Sequence, residues 1–359
     1  MYLDHFGLKR YPFRLSPDID FLYMSRGHAR AKAYLDYTVV SLDGFVVITG
    51  EIGAGKTTLL NKLVADSTAD TVMIRIDQTQ LTDVEFLQAV LAEVDHPVEG
   101  LGKVQLLKHL KQYLVQQAEA GNRVVLAVDE AQSLSRKVLE EIRLLSGVEY
   151  NKERLVSVIL MGQPELERLV NSPDMEQLAQ RIRLRFHLDA LSSEETREYI
   201  RHRLTIAGAE RENVFETEAF PAVDLFAGGI PRLINSLCDM ALLTAFVDNR
   251  SSVTARTVEA AAGELGWEPY TARHGRSLSS GAEGIEPAGG EAASGIPVSQ
   301  DQMESLVRAL QSGNDGMRRD LRMIAKHLGE LVEVLDQVRD RMSQSENGER
   351  PKRQKQTGG

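Results

Sequence analysis

Short apolar runs rich in β-branched residues alternate with longer amphipathic segments over the first 190 positions. Phe45–Thr49, Val72–Ile76, Val124–Val128 and Val156–Met161 have the length and continuity of strands buried on both faces. Between them, Leu59–Val64, Val84–Val94, Leu106–Ala118 and Val138–Leu145 place apolar residues at helical intervals. Buried strands joined by helices predict an α/β core, with a parallel sheet and crossover helices, over residues 1–191. Past Leu191 the strand pattern stops. Ser192-Ser193-Glu194-Glu195 is a capping box, serine with glutamate three positions on, and opens a helix predicted through Gly208. Helical patterns follow at Glu218–Phe226, Pro231–Val247 and Thr254–Leu265. A small all-helical domain over 192–268 is therefore expected behind the sheet.

The pattern changes again near Tyr270. Residues 269–300 are rich in Gly, Ala, Ser, Glu and Pro. Such a stretch buries too little apolar surface to offset its ordering entropy, so a disordered linker is expected. Then Met317, Leu321, Ile324, Leu328, Leu331, Leu335, Val338 and Met342 recur at alternating spacings of four and three. A seam of that period predicts a coiled-coil helix within 301–345; an amphipathic helix lying on the body is the other reading. Residues 346–359, with Arg350, Lys352, Arg353 and Lys355, read as a disordered basic tail.

Composition narrows the class. With 42% apolar and 26% charged residues the chain is an ordinary globular one, and no apolar run reaches the ~20 residues a bilayer demands. The start, Met1-Tyr2-Leu3-Asp4-His5, has no basic region ahead of an apolar stretch, so no secretory leader is expected. A lone cysteine, Cys238, excludes an internal disulfide and a multi-cysteine metal site. A cytoplasmic protein of a reducing compartment is the expectation. The net charge of −10 gives no bulk attraction to nucleic acid, which makes nucleic acid a disfavoured partner while leaving local basic patches open.

Against that background one segment stands out. Gly50-Glu51-Ile52-Gly53-Ala54-Gly55-Lys56-Thr57, followed by Thr58, fits the phosphate-binding pattern G-x-x-x-x-G-K-[ST] between a strand and a helix. Its glycines let successive N–H groups turn inward around phosphate oxygens. Lys56 can reach the β- and γ-phosphates, and the Thr57 hydroxyl can ligate Mg²⁺. The strand Val124–Val128 runs into Asp129-Glu130. Two adjacent carboxylates at a buried strand end are costly without a cation, and Mg²⁺ is the natural one. Asp129 then serves the metal and Glu130 polarises an attacking water; an ordinary solvated acid is the plainer reading of Glu130. Asn151-Lys152-Glu153-Arg154 lacks the aspartate of a guanine-reading motif, which disfavours GTP.

Two more positions extend the pattern. Gln163, after the strand Val156–Met161, would sit between the two loops and orient water; the alternative is a simple Gly-Pro turn. Arg232 follows Gly228-Gly229-Ile230-Pro231, with proline at the favourable first helical position. A cation there opposes the helix dipole, so an anionic partner would account for it; a solvated surface arginine is the alternative. Arg181, Arg183 and Arg185 alternate with Ile182, Leu184 and Phe186, the pattern of a strand with one wet face. His28, His109, His187 and His202 show no metal-ligand spacing and read as surface or packing residues.

Phe6-Gly7-Leu8, Pro12-Phe13, Ser16-Pro17-Asp18, the phosphate loop, Asp129-Glu130-Ala131-Gln132, Gly162-Gln163-Pro164-Glu165-Leu166, Gln180-Arg181-Ile182 and Gly229-Ile230-Pro231-Arg232 occur in this order. Over residues 1–265 the set resembles the AAA+ ATPases of the general secretion pathway protein A type. Ser25-Arg26-Gly27-His28 and the run Val47–Gly55 are most similar to the subfamily encoded beside exosortase (PEP-CTERM) and exopolysaccharide loci. The resemblance implies a P-loop NTPase core, a helical lid, ATP between them and the N-terminal segment near the adenine. It implies that Gln163 is the first sensor residue, Arg232 the second, and Arg181 the finger that reaches a neighbouring subunit's γ-phosphate. Many AAA+ proteins have asparagine at the first sensor, so Gln163 departs from the common pattern.

Together these readings point to a Mg²⁺-dependent, ATP-hydrolysing homo-oligomer peripheral to an inner-membrane export complex, with a protein partner reached through the coiled coil. A DNA-associated ATPase of the transposition-regulator type and a nucleotide-binding scaffold without turnover are the competing classes. Removing residues 301–345 should lower the number of subunits per particle, measured by light scattering, where the seam pairs with copies of itself. An unchanged number assigns the seam to a foreign partner.

Overall fold

In the computed structural model the described residues are 2–41, 44–211 and 213–273. The predicted heptads of 301–345 and the tail lie outside them. The elements in chain order are α1 (Tyr2–Phe6), α2 (Arg26–Val40), β1 (Phe45–Gly50), α3 (Lys56–Asp66), β2 (Thr71–Ile76), α4 (Asp83–Ala92), α5 (Lys103–Glu119) and β3 (Arg123–Val128). They continue with α6 (Arg136–Leu145), β4 (Glu149–Tyr150), β5 (Glu153–Arg154), β6 (Val156–Gly162), α7 (Pro164–Val170), α8 (Glu176–Ala179) and β7 (Leu184–Leu188). The last four are α9 (Ser193–Ile206), α10 (Ala219–Ala227), α11 (Pro231–Val247) and α12 (Ala255–Glu264).

Five strands form a parallel sheet in the order β2-β3-β6-β1-β7. Every residue of the central strands β1 and β6 is buried, as continuous apolar runs with helices on both faces require. The edge strand β7 alternates half-buried and exposed positions over its first four residues. Arg185 and His187 therefore occupy a wet face, but Arg181 and Arg183 precede the strand, so the alternation read in the sequence is only partly a strand pattern. On one face Val47, Val124, Leu126, Val128, Val158 and Leu160 pack against α4, α5 and α6; on the other, Val46, Ile48, Val125, Ile159 and Met161 pack against α2 and α3. Asn151 and Lys152 form the tip of the β4–β5 hairpin with positive φ (51° and 69°), where they serve a tight turn.

The helices behind the sheet have their own apolar centre. Ile200, Leu204, Val223, Ile234, Leu237, Cys238, Leu242, Val258 and Ala261 pack together, and Tyr2, Phe6, Leu8, Phe13 and Phe21 join them. The N-terminal segment thus belongs, by packing, with the helices rather than with the sheet that follows it in sequence. The Tyr2 hydroxyl donates to Asp239, and the buried Arg203 guanidinium donates to the Pro12 carbonyl (Nε, 2.5 Å) and the Tyr199 hydroxyl (Nη1, 2.9 Å). At the other end the packed body runs past the expected boundary at 268. Tyr270 lies against Gly228, Arg273 donates to the Phe226 carbonyl, and its guanidinium stacks 4.5 Å from the Trp267 ring centroid. An aromatic ring and a stacked cation anchor this stretch despite the composition shift beside it.

The sheet and helices meet at Leu191. Its N–H donates to the Gly229 carbonyl (2.9 Å), and Gly229 adopts φ +72° with the position of a Cβ only 2.1 Å from the Leu191 carbonyl oxygen. Gly229→Ala should therefore lower unfolding stability by about 2–3 kcal/mol, through strain and overlap together, measured by urea denaturation.

Candidate nucleotide site

Phosphate chemistry needs many N–H groups in a small space. The turn after β1 supplies them: Gly53 (φ +84°) and Gly55 (φ +103°) sit in backbone regions closed to other residues, and α3 starts with no side-chain cap on its first N–H groups. The loop lies at the carboxyl ends of the parallel strands, where open α/β sheets place their ligands. Lys56 is buried, and its ammonium donates to the carbonyls of Gly50 (2.7 Å) and Glu51 (3.0 Å). Burial pushes the ammonium below its ordinary pKa, against the opposite pull of Glu130, Asp129 and Glu51.

Sheet register brings the second loop to the first. β6 pairs with β1 through Thr49 and Gly162, and with β3 through Val128 and Leu160. Asp129 then lies beside α3, where the Thr57 hydroxyl donates to its Oδ2 across 2.6 Å. Asp129 is buried, and its Oδ1 accepts the Glu130 N–H (2.9 Å). Glu130 itself has φ +51° and ψ +35°, an uncommon conformation for a residue with a Cβ. Its Oε2 accepts from Gln132 Nε2 (2.6 Å) and from Gln163 Nε2 (3.2 Å).

A cleft of ≈ 320 Å³ opens over this loop. Its floor is Ile52, Gly53, Gly55, Lys56, Thr57 and Thr58, with Glu130 at one side. The far wall comes from the helices: Tyr199 and Arg203 on α9, Pro231, Arg232 and Asn235 on α11. Arg14 through Asp18 and Phe21 through Tyr23 of the N-terminal segment close the remaining side. Ala54 is buried beneath the loop. Arg232 reaches the loop through its backbone, its N–H donating to the Gly53 carbonyl (3.2 Å). Gln163 touches Glu130 but falls outside the cleft lining, and Arg181 lies away from it, beside Gly147 after α6.

Four residues at the site were given no part in it by the sequence. His28, read as a packing or surface histidine, is buried with Nε2 donating to the Ala54 carbonyl (3.0 Å). Its Nδ1 lies 2.7 Å from Ser25 Oγ, which caps α2 by accepting the His28 N–H (3.2 Å). Arg203 and Tyr199 join the N-terminal segment to the cleft wall, and Gln132 holds Glu130. A polar residue three past a helix-capping serine was the available signal for His28; the other three act through contacts that only folding assembles.

Burial pushes His28 below its ordinary value of 6.5, and the Ala54 hydrogen bond opposes that shift. An unfolded chain takes up the proton first, so the stabilising contribution of neutral His28 is full above about pH 6.5 and declines below it. The stability difference between wild type and His28→Gln should shrink as pH falls from 7.5 to 5.5, by at most about 1.4 kcal/mol per pH unit, in urea titrations.

The comparisons with known proteins agree with this geometry. The AAA domain family matches residues 40–170. Over 266 residues the chain is 39% identical to General secretion pathway protein A of Aeromonas hydrophila, a match that covers 74% of this chain and 48% of that protein. The chain thus spans about half the length of this curated relative. Among solved structures it is similar to Cdc6p of Pyrobaculum aerophilum, at a TM-score of 0.55 and 18% identity over 69% of this chain and 71% of that one. It is also similar to the ORC2 protein of Aeropyrum pernix in its ADPNP-ADP complexes, at 0.52 and 20% over 68% of each chain. At these identities the likeness to the solved structures is one of fold.

Proposed function

The chain carries an AAA domain on the AAA+ P-loop fold, and from that premise we propose that it binds ATP with Mg²⁺ and hydrolyses it. The observation that carries this reading is the Thr57–Asp129 hydrogen bond, which sets a hydroxyl and a carboxylate together at the start of α3, beside the buried ammonium of Lys56. Among the described residues no group of three or more His, Cys, Asp or Glu is placed to hold a metal. One hydroxyl and one carboxylate fit a magnesium ion that keeps waters and phosphate oxygens as its other ligands. When bound, Mg²⁺ supplies positive charge to the phosphates. Loop N–H groups and Lys56 hold the phosphate oxygens in place. Glu130 takes the proton of the attacking water as it adds to the γ-phosphorus, and the leaving ADP oxygen carries the electron pair away. Gln163 steadies Glu130, Arg232 brings a cation from the helices to the phosphates, and residues 14–23 cover the base.

Arg181 stands outside its own chain's cleft, which supports a role on the next subunit of a homo-oligomer. Arginine fingers are worth about 10³–10⁵ in turnover. The identity to General secretion pathway protein A supports a role in secretion; a place at the periphery of an inner-membrane assembly is part of the same proposal. No helix among the described residues is long and apolar enough to cross a membrane, so any attachment through them would be peripheral. The finer reading, an ATPase serving exosortase or polysaccharide export with a partner bound through 301–345, rests on the motifs at 25–28 and 47–55. In this scheme the helical residues 192–268 act as a lid, and closure on ATP alters the partner-facing surface.

Glu130→Gln should bind a fluorescent ATP analogue with wild-type affinity and lose at least about 10²-fold in phosphate release, the size of a general-base contribution. Lys56→Ala should lose the binding itself. Wild-type turnover by the first variant overturns the assignment of Glu130.

A further inference from the structure

Glu130 is exposed, sits in a strained backbone conformation and has three rotatable side-chain bonds, yet its carboxylate must face one direction to act as a base. Two amides fix it, and they are not equivalent. We infer that Gln132 is a positioning residue for hydrolysis, aiming Glu130 and the start of α7 with the two ends of one side chain. The inference rests on the ATPase reading above.

The geometry is a bridge. Gln132 Nε2 donates to Glu130 Oε2 at 2.6 Å, while Gln132 Oε1 accepts the Gln163 N–H at 3.0 Å. Gln163 is the cap residue of α7, so its N–H belongs to a helix start whose donors need partners. Gln163 in turn sends Nε2 to the same Glu130 Oε2 at the longer 3.2 Å. Both donors converge on one carboxylate oxygen, which leaves Oε1 to take a proton. The site also makes room for the bridge. A Cβ on Gly162 would fall 2.7 Å from Gln132 Oε1 and 2.9 Å from Leu166 Cδ2, so a side chain at the end of β6 would push the amide out of its bridging position. The short 3-10 turn Ala131–Ser133 sends residue 132 back toward 130. An amide suits the task, because it donates to a carboxylate without competing for the proton. Asparagine is one methylene too short to span both partners, and glutamate would keep only the Gln163 end.

That asymmetry gives the test, on the full chain with ATP and Mg²⁺. Gln132→Ala should lower kcat about 10²-fold, the scale of a ~1 Å misplacement, with KM within about twofold. Gln132→Glu retains the acceptor for the Gln163 N–H and replaces the donor to Glu130 by a second acid. Two adjacent carboxyls raise the pKa of one, and once protonated the introduced carboxyl donates to Glu130 as the amide does. Its kcat relative to wild type should be low near pH 8 and recover several-fold toward pH 6, with an unchanged thermal midpoint. Lys56 and Asp129 beside Glu130, and His28, Arg203 and Arg232 in the same cleft lining, are common to every variant, so their titration cancels in the ratio to wild type. Gly162→Ala should reproduce the kcat loss of Gln132→Ala. A wild-type kcat for Gln132→Glu at every pH, a loss confined to KM, or a loss that tracks a lowered midpoint without acid recovery would overturn the inference. Glu130→Gln in the same assays separates the two claims. If the wild type releases no phosphate, the ATPase reading fails; if Glu130→Gln still turns over, the assignment of Glu130 as the base fails; if that variant is inactive while Gln132→Glu is unimpaired, only the bridge fails.

Discussion

Close packing on three glycines of one loop ties the molecule together. Added Cβ atoms would meet the Leu188 carbonyl 2.7 Å from Gly50, Arg232 Cβ 2.3 Å from Gly53 and His28 Nε2 2.8 Å from Gly55. The contacts come from the sheet edge, from α11 and from α2. A loop that must expose its N–H groups to an anion has no side chains with which to anchor itself, so neighbours reach its backbone instead. The consequence is mechanical: the loop is in close contact with three elements at once, and α11 links it to the helical part of the chain.

Charge follows the same plan. Lys56 and Asp129 are held out of bulk water, with Thr57 half-buried beside them, where a net interaction is worth more than on the surface. Lys56 satisfies itself on the Gly50 and Glu51 carbonyls, and Asp129 on the Thr57 hydroxyl and the Glu130 N–H. Each group is partnered by something a phosphate or a cation can displace. Surface ion pairs such as Lys62–Asp66 and Arg168–Glu165, exposed and salt-screened, contribute little beside these.

Local chemistry was legible in the sequence, and long-range assembly was not. The phosphate loop, the carboxylates after β3 and the Ser192–Glu195 capping box each depend on residues a few positions apart, and the structure places all three in their expected elements. Helix α2 escaped because two of its four buried residues, His28 and Thr38, are polar and hide the apolar period. The hairpin at 149–154 is too short to show alternation. The N-terminal segment looked like part of the core because it precedes β1, yet its aromatic residues pack among α9 to α12, some two hundred positions away. Gln132 stood within a recognised motif, but only folding brings Gly162 and Gln163 to it and shows what its side chain touches.

The placement of Arg203 explains how the remote N-terminal segment becomes part of the cleft. Its guanidinium holds the Pro12 carbonyl, lies 5.0 Å from the Phe21 ring centroid and 5.4 Å from that of Tyr199, and faces the same space as Arg232. A buried cation of this kind is tolerable only where carbonyls and ring faces surround it. The residues that satisfy it come from both the N-terminal segment and α9, so that charge is held only when the segment lies against the helices. The cleft wall is therefore built jointly from the helical part and the chain's first two dozen residues, which share one apolar centre and line the cleft together with the phosphate loop. Under the proposed function, the two walls divide the work: the sheet supplies the base and the metal ligands, and the opposing wall supplies cations and the cover for the nucleotide base.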